Sequence, residues 1–267
     1  MKNKVVIITG ASSGIGKACA WIFARTGAQI VLAARNFEKL SLVCKELKEQ
    51  GFNAFAVQAD VSKEEDCQRL ISETVTKFKA IDVLINNAGI SMRATLEQAE
   101  VSVIRQLMEI NFFGTVYCTK FALPYLLKSN GSVVGVSSIA GYKGLPGRTG
   151  YSASKFAMHG FLEALRLENL QKELHVLIAC PGFTASNIRN TALGGNGKIQ
   201  GESPRNEQMM MQPDEVAEFI LKAVLKRQNY LTLTMNGKLT VWLNKFFPKW
   251  VDRLVYNHMR KEPDSPF

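Results

Sequence analysis

The sequence is poor in the features that would take it out of the ordinary globular class. It has five cysteines, Cys19, Cys44, Cys67, Cys118 and Cys180, and no C-x-x-C pair. Neither a disulfide framework nor a thiolate metal knuckle can be read from them, and they are expected to be reduced thiols in a reducing compartment. The three histidines, His159, His175 and His258, stand apart from any Cys or carboxylate cluster, so no catalytic metal is expected. No apolar run approaches the ~18 residues of a spanning helix, and Val5-Val6-Ile7-Ile8 behind Lys2 and Lys4 is too short for a signal-peptide core. The expected location is therefore cytoplasmic. Acidic residues are the scarce charge, 23 against 33 Lys plus Arg, for a net +10. That imbalance is local: from Lys222 to Lys261 nine basic residues accompany one acid, Asp252. The rest is nearly neutral, which argues against a nucleic-acid groove spread over the fold. With 267 residues, 46% of them apolar, the chain can bury the core of one α/β domain.

What is present is a regular alternation. Short β-branched runs occur at 5–9, 29–33, 54–58, 83–86, 132–137, 175–180 and 230–234. Most are continuously apolar, as parallel strands covered on both faces should be. Helix-length stretches lie between them at 15–26, 37–50, 63–79, 96–109, 112–128, 152–171 and 214–226. Ser62 and Glu65 are spaced as a capping box, and Pro213-Asp214 reads as a helix start. Strand–helix alternation with right-handed crossovers implies an open, doubly wound α/β sheet. Residues 183–212, with Gly194-Gly195-Asn196-Gly197, Gly201 and Pro204, read as a long mobile loop, the expected substrate loop. Met209-Met210-Met211 at its end is either pocket lining or core.

The first strand runs into Thr9-Gly10-Ala11-Ser12-Ser13-Gly14-Ile15-Gly16. Gly10 permits the tight turn, Gly14 lets backbone approach a pyrophosphate, and Gly16 lets the helix pack on the sheet. Unpaired N–H groups at the helix start suit phosphate oxygens. The second strand ends Ala33-Ala34-Arg35. An acid there would bind ribose hydroxyls, whereas Ala34 followed by Arg35 suits a 2′-phosphate, so the expected cofactor is NADP(H). Tyr151 and Lys155 share one helix face at i, i+4. A free phenol has a pKa of ~10, and a cation beside it favours the phenolate needed near neutral pH. Ser138 closes a strand where a hydroxyl can hold a substrate oxygen, and Asn111 is a polar amide among apolar neighbours that needs partners.

TGASSGIG at 9–16, Asp60-Val61, NNAG at 86–89, Asn111, Ser138, YxxxK at 151–155 and Pro181-Gly182 occur in one order over residues 1–182. Together they resemble the short-chain dehydrogenase/reductase family. The resemblance implies a single-domain, Rossmann-like, doubly wound fold with a seven-stranded parallel sheet and helices on both faces. It also implies a homodimer or homotetramer that moves a hydride between a nicotinamide and a carbonyl or secondary alcohol. Tyr151 would be the proton donor and acceptor, and Lys155 would lower its pKa and bind the nicotinamide ribose. Ser138 would position the carbonyl, and Asn111 would hold a water linking Lys155 to solvent. Gly10, Ser12, Ser13, Gly14, Ile15, Gly16 and Arg35 would bind the cofactor. Asp60 and Val61 would flank its adenine, while Asn87, Ala88, Gly89, Pro181, Gly182 and Thr184 line the rest. A 3-oxoacyl-thioester reductase of the same family, or a non-enzymatic NADP-binding sensor, are the alternatives, and the retained Tyr151 and Lys155 speak against the sensor.

Beyond the seventh strand, Met235-Asn236-Gly237-Lys238 departs from the V-D-G-G ending of bacterial ketoacyl reductases. Residues 236–261 form a basic amphipathic extension that resembles membrane-facing, lipid- and steroid-handling members. Within 238–259, Leu239, Trp242, Leu243, Phe246, Phe247, Trp250, Val251, Leu254 and Val255 recur at helical steps, with Pro248 expected to divide the helix. Such a face either lies on anionic lipid, as a peripheral membrane contact, or covers the substrate cleft or a partner subunit.

Overall fold

Seven parallel strands form one sheet: β1 (Val5–Thr9), β2 (Gln29–Ala34), β3 (Ala54–Gln58), β4 (Val83–Asn86), β5 (Ser132–Val136), β6 (His175–Cys180) and β7 (Tyr230–Thr232), ordered β3-β2-β1-β4-β5-β6-β7. The computed structural model describes residues 1–185, 187–201 and 210–267. The helices are α1 (Gly14–Ala24), α2 (Phe37–Glu49), α3 (Glu64–Phe78), α4 (Val101–Leu107), α5 (Gly114–Lys128), α6 (Thr149–Glu168), α7 (Pro213–Leu225), α8 (Met235–Phe246) and α9 (Pro248–Met259). Because side chains alternate across a strand, β1 feeds both faces. Val6 and Ile8 pack with Phe23, Leu40, Val216 and Ile220 from α1, α2 and α7. Val5 and Ile7 join Cys67, Leu70, Cys118, Ala122 and Leu162 from α3, α5 and α6 on the other side. Continuous Val/Ile runs are thus what a sheet covered on both faces requires.

The strand order reverses at β1, which pairs with both β2 and β4. This is the crevice at the carboxyl edge where doubly wound sheets take ligands. Gly135 lets α6 lie close on β5: a Cβ there would come within 2.3 Å of Leu162 Cδ1.

Several boundaries differ from the sequence reading. Ser62 does not cap α3; its hydroxyl donates to Asp60 Oδ1 at 2.8 Å, and Lys63 holds the cap position with no side-chain bond. The expected helix 96–109 begins only at Val101, then runs through a π-helical turn, Met108–Phe113, straight into α5. A turn of that kind widens the helix, and it carries Asn111. The last strand stops at Thr232, since Thr234 already caps α8 by accepting from Gly237 N–H at 3.1 Å. Pro213 opens α7, with a capping box between Gln212 and Glu215. Pro248 divides the extension into α8 and α9, as its missing N–H dictates. All five cysteines are buried. Within 183–212, Pro204 and Met209 lie outside the described residues. Met210 is partly buried, and Met211 packs beside the cluster under α1 and α7, on the core side.

Candidate active site

A cleft of about 700 Å³ runs along the carboxyl edge of the sheet and is lined from every strand end from β1 to β6. Gly10 and Gly14 have φ of +65° and +52°, a region that glycine enters without steric cost. Ser13 precedes α1 without a side-chain capping bond, and the helix has no acid in its first turn. Its N–H groups and positive dipole end are therefore left for an anion, so the turn fits a dinucleotide pyrophosphate. Gly16 does not line the cleft. The space a Cβ would need there belongs to the Gly10 carbonyl at 2.3 Å and Asn87 Nδ2 at 2.5 Å, so it seats the helix on the turn rather than on the sheet. Asn87 is spent on the same turn: Nδ2 donates to Thr9 O at 2.9 Å, and Thr9 Oγ1 accepts from the Asn87 and Ala88 amides.

Ser12, Ser13, Ile15, Asp60, Val61, Ala88, Gly89, Pro181, Gly182 and Thr184 all line this cleft. Asp60 turns its carboxylate to Ser62, and Thr184 donates its hydroxyl to Gly182 O. Arg35 sits exposed at the rim. Among the described residues it has no ion-pair partner, and Lys39, which the sequence reading passed over, lines the cleft beside it. Asn36 caps α2 by accepting from Lys39 N–H, which holds both cations at that corner.

At the other end, α6 brings Tyr151 and Lys155 against Ser138. Lys155 is buried; its Nζ donates to Val136 O at 2.9 Å and lies 5.7 Å from the Tyr151 ring centre. Burial lowers its pKa to about 8. The Tyr151 phenol is raised, against the expectation of a depressed value. Burial outweighs the Ser138 hydrogen bond and the cations Arg148 and Arg189, all of which pull it down. The reason is physical: the buried phenol loses the water that would solvate its charged form, and the Cys180 thiol beside it adds to the rise. Asn111, fully buried and off the cleft, accepts from Ile90 N–H at 2.8 Å and donates from Nδ2 to Ile90 O and to Ser154 Oγ. It ties the NNAG segment to the residue before Lys155.

Sequence reasoning missed some of this machinery. Ser137 Oγ lies 2.7 Å from His159 Nε2, with Cys180 Sγ 3.6 Å from the same atom, directly under Ser138. Burial holds the His159 pKa down at about 4, so the ring is neutral and can accept the Ser137 proton. Only the Tyr151 to His159 spacing, two helical turns along one face, hinted at it. Arg148, just ahead of α6, also lines the cleft. Among the described residues no group of three or more His, Cys, Asp or Glu could hold a metal ion.

The same region is recognised in known proteins. A family profile described as short chain dehydrogenase matches residues 4–194. The chain is 36% identical to "11-beta-hydroxysteroid dehydrogenase A" of Sesamum indicum, over 98% of this chain and 78% of that protein. It is 35% identical to "Dehydrogenase/reductase SDR family member 7B" of Mus musculus, over 99% and 84%. An alcohol dehydrogenase from Thermococcus sibiricus, solved with 5-hydroxy-NADP, superposes at TM-score 0.75 with 28% identity, covering 87% of this chain and 96% of that one. A short chain dehydrogenase/reductase from Burkholderia phymatum, in complex with NAD, superposes at 0.84 with 24% identity, over 93% and 95%, which speaks to the fold alone. A glycine turn open to a dinucleotide, facing a tyrosine, lysine and serine across one cleft within the matched residues, makes this chain a member of the short-chain dehydrogenase/reductase family.

Proposed function

We propose that the protein is an NADP(H)-dependent oxidoreductase. It moves a hydride between the nicotinamide and a carbonyl or secondary alcohol of an apolar substrate, lipid-, steroid- or retinoid-like. The observation that carries this reading is the convergence of Tyr151, Lys155 and Ser138 on the cleft that the glycine turn opens into. When bound, the cofactor supplies the hydride and a positive ring in its oxidised state. The chain does the rest. Ser138 and Tyr151 hold the substrate oxygen, and Tyr151 passes it the proton at the phenol oxygen. Lys155 holds the ribose and favours the phenolate, and Asn111 keeps the lysine linked to solvent. Arg35, with Lys39 beside it, receives the 2′-phosphate; Ala34 leaves no acid to repel it.

Leu145, Phe183, Ile188, Leu193 and Ile199 give the substrate end an apolar lining, which supports an apolar substrate. The relatives named as hydroxysteroid dehydrogenases support the steroid-like class. Purified protein supplied with NADPH and a panel of ketosteroids, retinals, acetoacetyl thioesters and sugars tests the assignment. Turnover of the apolar carbonyls is expected, and turnover confined to thioesters or sugars would displace it.

The extension supports peripheral contact with anionic lipid. Leu239, Trp242, Phe246, Phe247, Trp250 and Leu254 are each 45–62% exposed. Lys238, Lys245, Lys249 and Arg253 accompany them, and the one acid of the stretch, Asp252, is paired with Lys143. An exposed aromatic face with basic flanks suits the headgroup boundary. Among the described residues no helix is long and apolar enough to cross a membrane.

A further inference from the structure

The extension does not end in solvent. After α9 the chain turns back to the cleft, and Glu262, only 8% exposed, is placed between two arginines of the catalytic region. Its Oε2 lies 2.8 Å from Arg148 Nη2 and 3.8 Å from Arg93 Nε. Arg93 Nη2 also donates to Pro263 O, and a Cβ on Gly147 would touch Pro266 and Phe267 at 3.1–3.2 Å. Both arginine side chains are 11–12% exposed.

Each arginine leads into the site. Arg148 is the residue before α6 and lines the cleft three positions ahead of Tyr151. Arg93 N–H donates to Leu193 O, on the apolar wall of the substrate end, and its carbonyl accepts from Gln200. One buried carboxylate thus joins the tail, the start of the catalytic helix and the substrate loop. Among the described residues the Glu262 carboxylate meets the Arg148 guanidinium in a poorly solvated place, where removing the anion takes away the charge that opposes it.

We propose that Glu262 is a positioning residue for the proton-transfer step: by clamping and neutralising Arg148 and Arg93 it sets the charge that Tyr151 faces. Among the described residues, the charged and titratable groups around the phenol come from four places. Lys155 lies one turn along α6, Arg148 stands ahead of that helix, Arg189 comes from the loop after β6, and the Cys180 thiol ends β6. The Ser138 hydroxyl reaches it from the end of β5. Arg148 is the member of this set whose charge the tail controls. Its backbone is fixed, since Ser152 N–H donates to Arg148 O and Ala94 N–H to Gly147 O, so losing Glu262 leaves Arg148 near its place and takes away the negative charge that offsets it at Tyr151.

The test is a titration of Tyr151 by nuclear magnetic resonance, using protein carrying tyrosine labelled at the ζ carbon, with and without NADP⁺, and Tyr151→Phe to assign the signal. Glu262→Gln should lower the Tyr151 pKa by about half a unit, roughly threefold in ionisation constant, because an opposite charge favours the phenolate. Arg148→Met should move it the other way, Glu262→Asp should leave it near the unmodified value, and Glu262→Gln added to Arg148→Met should bring it back toward that value, because the fields of charges held in place add. The consequence for turnover rests on the oxidoreductase reading. Ketone reduction uses the protonated phenol, so the alkaline limb of kcat should fall to lower pH in Glu262→Gln. The titration does not depend on that reading, so failure to find a substrate leaves it decisive. A Tyr151 signal unmoved by Glu262→Gln, or moved to higher pKa by it, overturns the proposal. So does a shift that Glu262→Asp does not reverse. Should Glu262→Gln fail to fold, the proposal stands or falls on whether Arg148→Met raises the Tyr151 pKa while Glu262→Asp leaves it near the unmodified value.

Discussion

Replacing Lys155 with methionine should abolish turnover and make the cofactor-free protein more stable. Lys155 is 3% exposed, and burial brings its pKa from 10.5 to about 8. Such a difference corresponds to about 3 kcal/mol by which the fold disfavours the ammonium at pH 7. Methionine has similar length and no charge to bury, but it strands the Val136 carbonyl, which Lys155 Nζ holds at 2.9 Å. That loss costs about 1 kcal/mol. The net gain is about 2 kcal/mol, or a rise in Tm of about 4–8 °C for a domain of this size. The pH dependence carries a sign that ordinary repacking would not. Below pH 8 the native and unfolded chains are both protonated, and the native state bears the full penalty. Between pH 8 and 10.5 only the unfolded state keeps the proton, so the stability of the unmodified protein rises with pH. The advantage of Lys155→Met should therefore shrink across that window and reverse near its top, leaving the variant about 1 kcal/mol the less stable through its stranded carbonyl. Denaturant titrations at pH 7, 9 and 10.5 measure it. A variant less stable than the parent at pH 7, or an advantage constant with pH, would refute the argument.

Two further outcomes follow from the same geometry. Arg35→Asp should invert the preference from NADPH to NADH, because a carboxylate beside Ala34 repels a 2′-phosphate and accepts ribose hydroxyls; equal affinity of the unmodified protein for both cofactors, measured by nicotinamide fluorescence, would count against it. Replacing Trp242, Phe246 and Trp250 together by serine should end co-sedimentation with anionic liposomes while leaving NADPH binding intact, and salt should release the unmodified protein, since its basic flanks act within a screening length of ~8–10 Å. Sedimentation unaffected by the triple change would place the lipid contact elsewhere or nowhere.

Most of the fold was legible because its signals are local. Seven β-branched runs at 5–9 to 230–234 alternate with amphipathic stretches, and that alternation alone implies a doubly wound sheet. Placement could be read from type and spacing too: Gly10 and Gly14 in the turn at the cleft, the pair Tyr151 and Lys155 on one helix, and Arg35 at the rim. What stayed hidden depends on contacts remote in sequence. Nothing near Ser62 announces that its hydroxyl prefers Asp60 to a helix cap. Nothing in the spacing marks the π turn at Met108–Phe113, so Asn111 falls between the expected helices 96–109 and 112–128. The direction of the Tyr151 shift turns on how deeply the phenol itself is buried, which spacing does not reveal. Glu262 is the extreme case: an acid in a basic tail finds partners 114 residues earlier, at Arg148, and further back at Arg93.

The central claim, hydride transfer to a carbonyl under Tyr151, is tested most directly by following the isotope. NADPH carrying deuterium at the transferable position of its nicotinamide should deliver one deuterium to the carbinol carbon of the reduced ketosteroid, on a single face. In Tyr151→Phe the label should stay on the cofactor although NADPH binds as tightly as before, since only proton transfer is lost. Deuterium appearing in the product at an undiminished rate with Tyr151→Phe, or a reduced product without label, would contradict the account.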